Sequence, residues 1–183
     1  MPRSFDLVDD KVEEAHFFLE KLADTGTHFY EVRWYFSAFL SAALSITFSL
    51  QAVMSGIAGF DKYYEMQQQA LRADPICKFF HDARTQSQHI GINPVTGLVS
   101  SRDENGMPYV QYFFSESAEL GSNIPEIDAL VSCRRYMTTL VELIFDCYVK
   151  FGPDIDPHQH FTAENFASQG KSIADAEEEL IGI

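Results

Sequence analysis

A mainly all-α fold is predicted by three features of this 183-residue sequence. Apolar residues recur at three- and four-residue spacing through several long segments. Glycine, proline and short Asp/Thr clusters punctuate those segments at close intervals. Only one stretch, around residues 95–114, carries the β-branched and aromatic runs of strands. The expected architecture is an up-and-down bundle of about five helices with an inserted β-hairpin.

The first helix is expected from about Val8 to Ala23, where Val12, Ala15, Phe18, Leu19 and Leu22 share a face and Glu13, Glu14, Glu20 and Lys21 point outward. Asp24-Thr25-Gly26-Thr27 ends it. The second helix is expected from about His28 to Met54 and stops at Ser55-Gly56-Ile57-Ala58-Gly59. The span Trp34 to Phe60 holds no charged residue, which is long enough to cross a bilayer. Seven serine, threonine and glutamine residues interrupt it, and no Lys/Arg cluster flanks it. Ser37, Ser41 and Ser45 recur every four residues as a stripe of small side chains. The segment therefore reads as a buried bundle helix, with no membrane association expected.

Asp61 to Ala73 is expected as the third helix. Asp74 to Gly91 reads as a fourth, complete with its punctuation: Asp74 as cap, Pro75 at the first helical position and Gly91 as stop. The hairpin is expected from Val95–Val99 and Tyr109–Phe114, with Asp103-Glu104-Asn105-Gly106 as the turn. A last long helix is expected from about Pro125 to Phe151, stopped by Gly152-Pro153. Residues 1–152 are thus expected to form one bundle domain, with the insertion at about 92–116. Residues 153–183 read as a polar acidic tail.

With 46% hydrophobic residues the chain can bury a sizeable core. Its formal charge of −14 opposes steering toward polyphosphate, which counts against nucleic-acid partners. Cys77, Cys133 and Cys147 are odd in number and widely spaced, which suits a reducing compartment. The first ten residues lack the apolar core of a signal peptide, so a cytoplasmic location is expected.

On a helical wheel of the Asp74–Gly91 segment, Ile76, Phe79, Phe80, Ala83, Ser87 and Ile90 fall on the core side. His81, Arg84, Thr85, Gln88 and His89 fall opposite. Arg84 and His89 form the one pair that suggests chemistry. Arginine holds a phosphate by two parallel hydrogen bonds, and histidine moves a proton near neutral pH. Together they are a minimal kit for cleaving RNA without a metal or cofactor. They stand roughly 140° apart around one helix, so one copy would not aim both at one small target. Two copies packed face to face across a two-fold axis would.

Other candidates are weaker. His158 and His160 lie two apart in Asp156-Pro157-His158-Gln159-His160, without a third ligand nearby, so no metal site is expected. Arg134-Arg135 could touch phosphate, and the aromatics from Tyr109 to Phe114 could stack on bases, although hairpin alternation more often covers a core.

The Arg84-x4-His89 segment resembles the signature helix of the HEPN superfamily (higher eukaryotes and prokaryotes nucleotide-binding domain), which carries an Arg-x4–6-His motif late in a helical bundle. The run from Phe36 to Phe48 is similar to the long second helix of HEPN-like bacterial proteins. Tyr63-Tyr64-Glu65-Met66 followed by Ala73 to Arg84 is similar to the approach to their motif. The resemblance covers about residues 8–91. It departs at Thr85, where the family often has Asn. It implies a homodimer with Arg84 and His89 of both copies lining a cleft; on the polar face beside them, His81, Thr85 and Gln88 are the expected binding residues. It implies either a metal-independent endoribonuclease of the toxin–antitoxin or defence type, with RNA or an antitoxin protein as partner, or a non-catalytic module that binds a protein or nucleotide.

Overall fold

The computed structural model describes residues 4–91, 93–114 and 124–155, the side chains of residues 88–90 and 153–154 excepted. The described residues form α1 (Asp6–Asp24), α2 (Phe29–Met54), α3 (Phe60–Ala73), α4 (Pro75–Ile90), β1 (Val95–Arg102), β2 (Pro108–Phe114) and α5 (Ala129–Ile155). This is the mainly all-α fold with an inserted hairpin that the sequence predicts. The chain divides within α5 into two compact units, Met1–Ile144 and Phe145–Ile183, and the packing described below is that of the first.

Helix α1 buries Val8, Ala15, Leu19 and Leu22. Its end is fixed locally: the Thr25 hydroxyl donates to the Lys21 carbonyl at 2.6 Å, and Gly26 takes a positive φ of 60°. The short link forces α1 and α2 to lie side by side in opposite senses, and theirs is the most extensive helix–helix contact of the unit.

Helix α2 is long and apolar enough to cross a membrane, and half of its most apolar window is buried within the fold. Its serines form a ladder. The hydroxyls of Ser41, Ser45 and Ser49 each donate to the carbonyl four residues earlier, at 3.1, 2.8 and 2.7 Å. Each polar group is thereby satisfied inside its own helix, so it can be covered without a buried orphan.

Asp74 joins α3 to α4 unaided. Its N–H donates to the Ala70 carbonyl at 3.1 Å, closing α3, and its carboxylate accepts from the Cys77 N–H at 2.8 Å, opening α4. Pro75 supplies the first helical residue, and Gly91 ends the helix at φ 75°. In α4, Phe79, Phe80 and Ala83 are buried as expected, and Ile76 and Ser87 are half-buried. Cys77, which the wheel leaves off the core side, is buried too.

The strands pair in antiparallel register from Val95↔Phe114 to Arg102↔Pro108, with a bulge between Val95 and Gly97. At the turn, the Asp103 carboxylate accepts from the N–H groups of Asn105 and Met107, and Gly106 takes φ 76°. β1 runs on past Val99 to Arg102 and β2 begins one residue early, at Pro108, because pairing continues wherever a partner stands opposite.

Helix α5 differs from expectation at both ends. It begins at Ala129 because Asp128 caps it, accepting from the Val131 N–H at 3.0 Å. It continues through Gly152-Pro153 to Ile155. Proline's fixed φ is itself helical, so this late in the helix it costs one hydrogen bond without forcing a break. The domain boundary drawn at 152/153 therefore falls inside a helix. Residues 156–183, with His158 and His160, lie outside the described residues.

The core centres on rings from four elements. Phe80 stacks on Tyr136 of α5, with centroids 4.6 Å apart and planes 7° from parallel. It meets Phe36 and Phe39 of α2 at 6.1 and 6.2 Å. Phe79 meets Phe114 of β2 at 4.6 Å, and Phe114 meets Phe36 at 5.6 Å. Tyr112 ties the hairpin to both ends of the unit. Its hydroxyl donates to the Gly26 carbonyl and its N–H to the second Asp128 oxygen, each at 2.7 Å.

Truncating Phe80 to alanine removes the ring shared by these contacts. The expected cost is about 3–5 kcal/mol, read as a lowered urea midpoint. Asp128→Ala removes a cap and leaves the Tyr112 N–H unpaired, so about 2–4 kcal/mol is expected. A loss below about 1 kcal/mol in either variant would contradict this account of the core.

Candidate functional site

Helix α4 carries the sequence-predicted residues, and its rotation is set by Phe79 and Phe80. Arg84 follows Phe80 by four residues, only about 40° further around the helix. It is accordingly half-buried rather than on an open polar face. Its Nε is fully buried and has no hydrogen-bond partner among the described residues. A guanidinium held this way has lost water at one of its five donors without replacement, an arrangement that costs free energy until an acceptor arrives.

Arg33 of α2 is in the same condition, half-buried with an unpartnered buried Nε. The packing order places it toward the same end of the α2–α4 pair as Arg84. Early α2 (Phe36) meets Phe80, while late α2 (Thr47, Gln51) lines a cavity with Cys77 and Lys78. The two helices therefore run in opposite senses, and the turn before Phe36 lies toward the turn after Phe80. Asn93, just beyond α4, donates to the Arg33 carbonyl at 2.7 Å, which holds the end of α4 against the start of α2. Two arginines thus stand at one end of the helix pair.

His81 takes a different direction. It is exposed and lines a cavity of about 500 Å³ enclosed by α2, α3, α4 and α5. Buried Thr47, Tyr64, Cys77, Tyr136 and Leu140 form the floor, and Leu44, Gln51, Gln68 and Leu71 the walls. Phe48, Arg72, Lys78 and His81 are exposed at the rim. The Lys78 ammonium pairs with Asp82 at 2.8 Å. Burial raises the Tyr64 hydroxyl above the usual tyrosine range, opposed by hydrogen bonding with Gln68, Thr47 and Gln51 and by the Arg72 charge. Burial also pushes the Cys77 thiol up to about 12, helped by the Asp74 charge. Such a thiol is no nucleophile near neutral pH.

The predicted residues therefore separate. The Thr85 hydroxyl donates to the His81 carbonyl at 3.0 Å, so it is already engaged within the helix. His89 and Gln88 lie in the last turns of α4, and their side chains lie outside the described ones. Arg134 and Arg135 are both exposed on α5. Sequence reasoning missed Arg33, Arg72 and the cavity. Arg33 had one signal: it is the last charge before the uncharged run of α2. Among the described residues no three His, Cys, Asp or Glu side chains come together in a way that could hold a metal ion. Compared with known proteins, the chain matches no family model, no curated protein and no solved structure.

Cys77 generates a pH prediction. Its folded pKa lies above the ordinary thiol value of 9.0, so its contribution to stability is complete below pH 9 and is lost progressively as the pH rises from 9 toward 12. The urea midpoint should fall over that window, and a Cys77→Ala variant should fall less steeply. Equal slopes would show that the thiol is not held neutral by the fold.

Proposed function

We propose that the chain is a HEPN-like, metal-independent endoribonuclease that works in the cytoplasm as a homodimer across the α4 face. The observation that carries this reading is the half-buried Arg84 with its unpartnered Nε, seconded by Arg33 at the same helix end. An arginine with one buried, unpartnered N–H and the rest of its fork within reach is suited to a phosphodiester, whose oxygens accept two parallel N–H bonds. In this reading Arg84 holds the scissile phosphate and stabilises charge developing on it. His89 takes the proton of the ribose 2′-OH as that oxygen attacks phosphorus. The 5′-oxygen leaves with a proton from the second copy's histidine, and a 2′,3′-cyclic phosphate remains. The dimer is needed because Arg84 and His89 stand roughly 140° apart on one helix.

The formal charge of −14 favours a second reading, a non-catalytic module of the same kind that binds a basic protein partner. The two readings part in one experiment. The purified protein is incubated with single-stranded RNA in EDTA, and cleavage is compared with Arg84→Gln and His89→Ala variants. The nuclease reading expects cyclic-phosphate ends and a rate loss of about 10²–10⁴-fold in each variant. Equal background cleavage by all three proteins sinks it and leaves the binding module. Sedimentation of the wild type should give twice the 20.8 kDa chain mass; a strict monomer also sinks it.

A further inference from the structure

The cavity at the N-terminal half of α4 has no part in the proposed cleavage. It is nonetheless lined by two unlike kinds of side chain. Leu44, Leu71, Leu140 and Tyr136 contribute apolar surface, and Phe48 leaves 57% of its own surface exposed. A large aromatic side chain held open beside a hollow of about 500 Å³ is a surface that an apolar body would cover.

Two permanent cations, Arg72 and Lys78, also line it, and their charges can be counted. Lys78 is neutralised by Asp82 at 2.8 Å. Arg72 makes no ion pair among the described residues, and it stands close enough to Tyr64 for its charge to act on that hydroxyl. One unpaired permanent cation matches one negative charge. A carboxylate carries that single charge and accepts the guanidinium fork in full. The carboxamides of Gln51 and Gln68 lie beside the Tyr64 hydroxyl, and that of Gln51 also donates to the Thr47 carbonyl at 3.1 Å. They add polar contact without calling for a second charge.

We propose that this cavity binds an amphipathic monocarboxylate, its apolar body against Phe48, Leu71 and Leu140 and its carboxylate on Arg72. The site lies apart from Arg84 and His89, so its standing is independent of RNA cleavage.

Octanoate and octanol share the same chain and differ in the head group, so calorimetric titration of the full-length protein with each isolates the carboxylate. Octanoate is expected to bind saturably with one site per chain, at least tenfold more tightly than octanol. Arg72→Gln should bring octanoate down to the affinity of octanol. Phe48→Ser should weaken both by a similar factor. Both positions are exposed, and an unchanged urea midpoint verifies that each variant is folded. Absence of saturable octanoate binding overturns the proposal, as does equal affinity for acid and alcohol. Octanoate binding that Arg72→Gln leaves unchanged overturns the assigned head-group contact. Displacement of bound octanoate by AMP at lower concentration would identify a nucleotide site instead, and would overturn the monocarboxylate.

Discussion

Phe80 is the side chain on which the first unit turns. It is 1% exposed, stacks on Tyr136 and touches both Phe36 and Phe39. Rings this size bury more apolar area than any aliphatic residue, and their flat faces tolerate little sliding once stacked. With Phe79 locked against Phe114, α4 has no freedom to rotate. Everything polar on that helix is then assigned a place. Arg84 is drawn to the edge of the core, Cys77 goes under cover, and Lys78 and His81 reach the cavity rim.

Tyr112 and Asp128 supply the directional part of the same architecture. One Asp128 carboxylate starts α5 with one oxygen and receives the Tyr112 N–H on the other. The Tyr112 hydroxyl meanwhile binds the turn between α1 and α2. An isolated two-stranded hairpin is marginal in water. This one is held because a buried tyrosine, Tyr112, and a half-buried ring, Phe114, anchor it to three other elements. The hairpin is thus a brace of the bundle as well as an insertion between α4 and α5.

Two features of α4 can serve function, and they sit at its opposite ends. Toward its C-terminus, Arg84 and Arg33 each keep a buried Nε without an acceptor among the described residues, which suits an anion brought from outside. Toward its N-terminus, the cavity offers apolar walls with one unpaired arginine at the mouth. Neither arrangement uses the buried thiol of Cys77, whose elevated pKa makes it a packing residue.

The sequence alone determined what depends on near neighbours. Asp74, Pro75 and Gly91 mark α4 because caps, fixed φ and positive φ act within a few residues. Asp103 to Gly106 announces the turn for the same reason. The serine ladder of α2 also closes within one helix, which is why an uncharged run suits a bundle. The limits of α5 were less legible. Its start depends on Asp128, which is committed to Tyr112 sixteen residues earlier, and its end shows that Gly-Pro is a preference and not a stop. Only the tertiary structure decided how α4 is turned, because that follows from rings contributed by α2, β2 and α5. That rotation half-buries Arg84 at the helix end where Arg33 also stands, and turns His81 to a cavity with Arg72. Desolvation and cavities are made by residues distant in the chain, and no spacing within one helix encodes them.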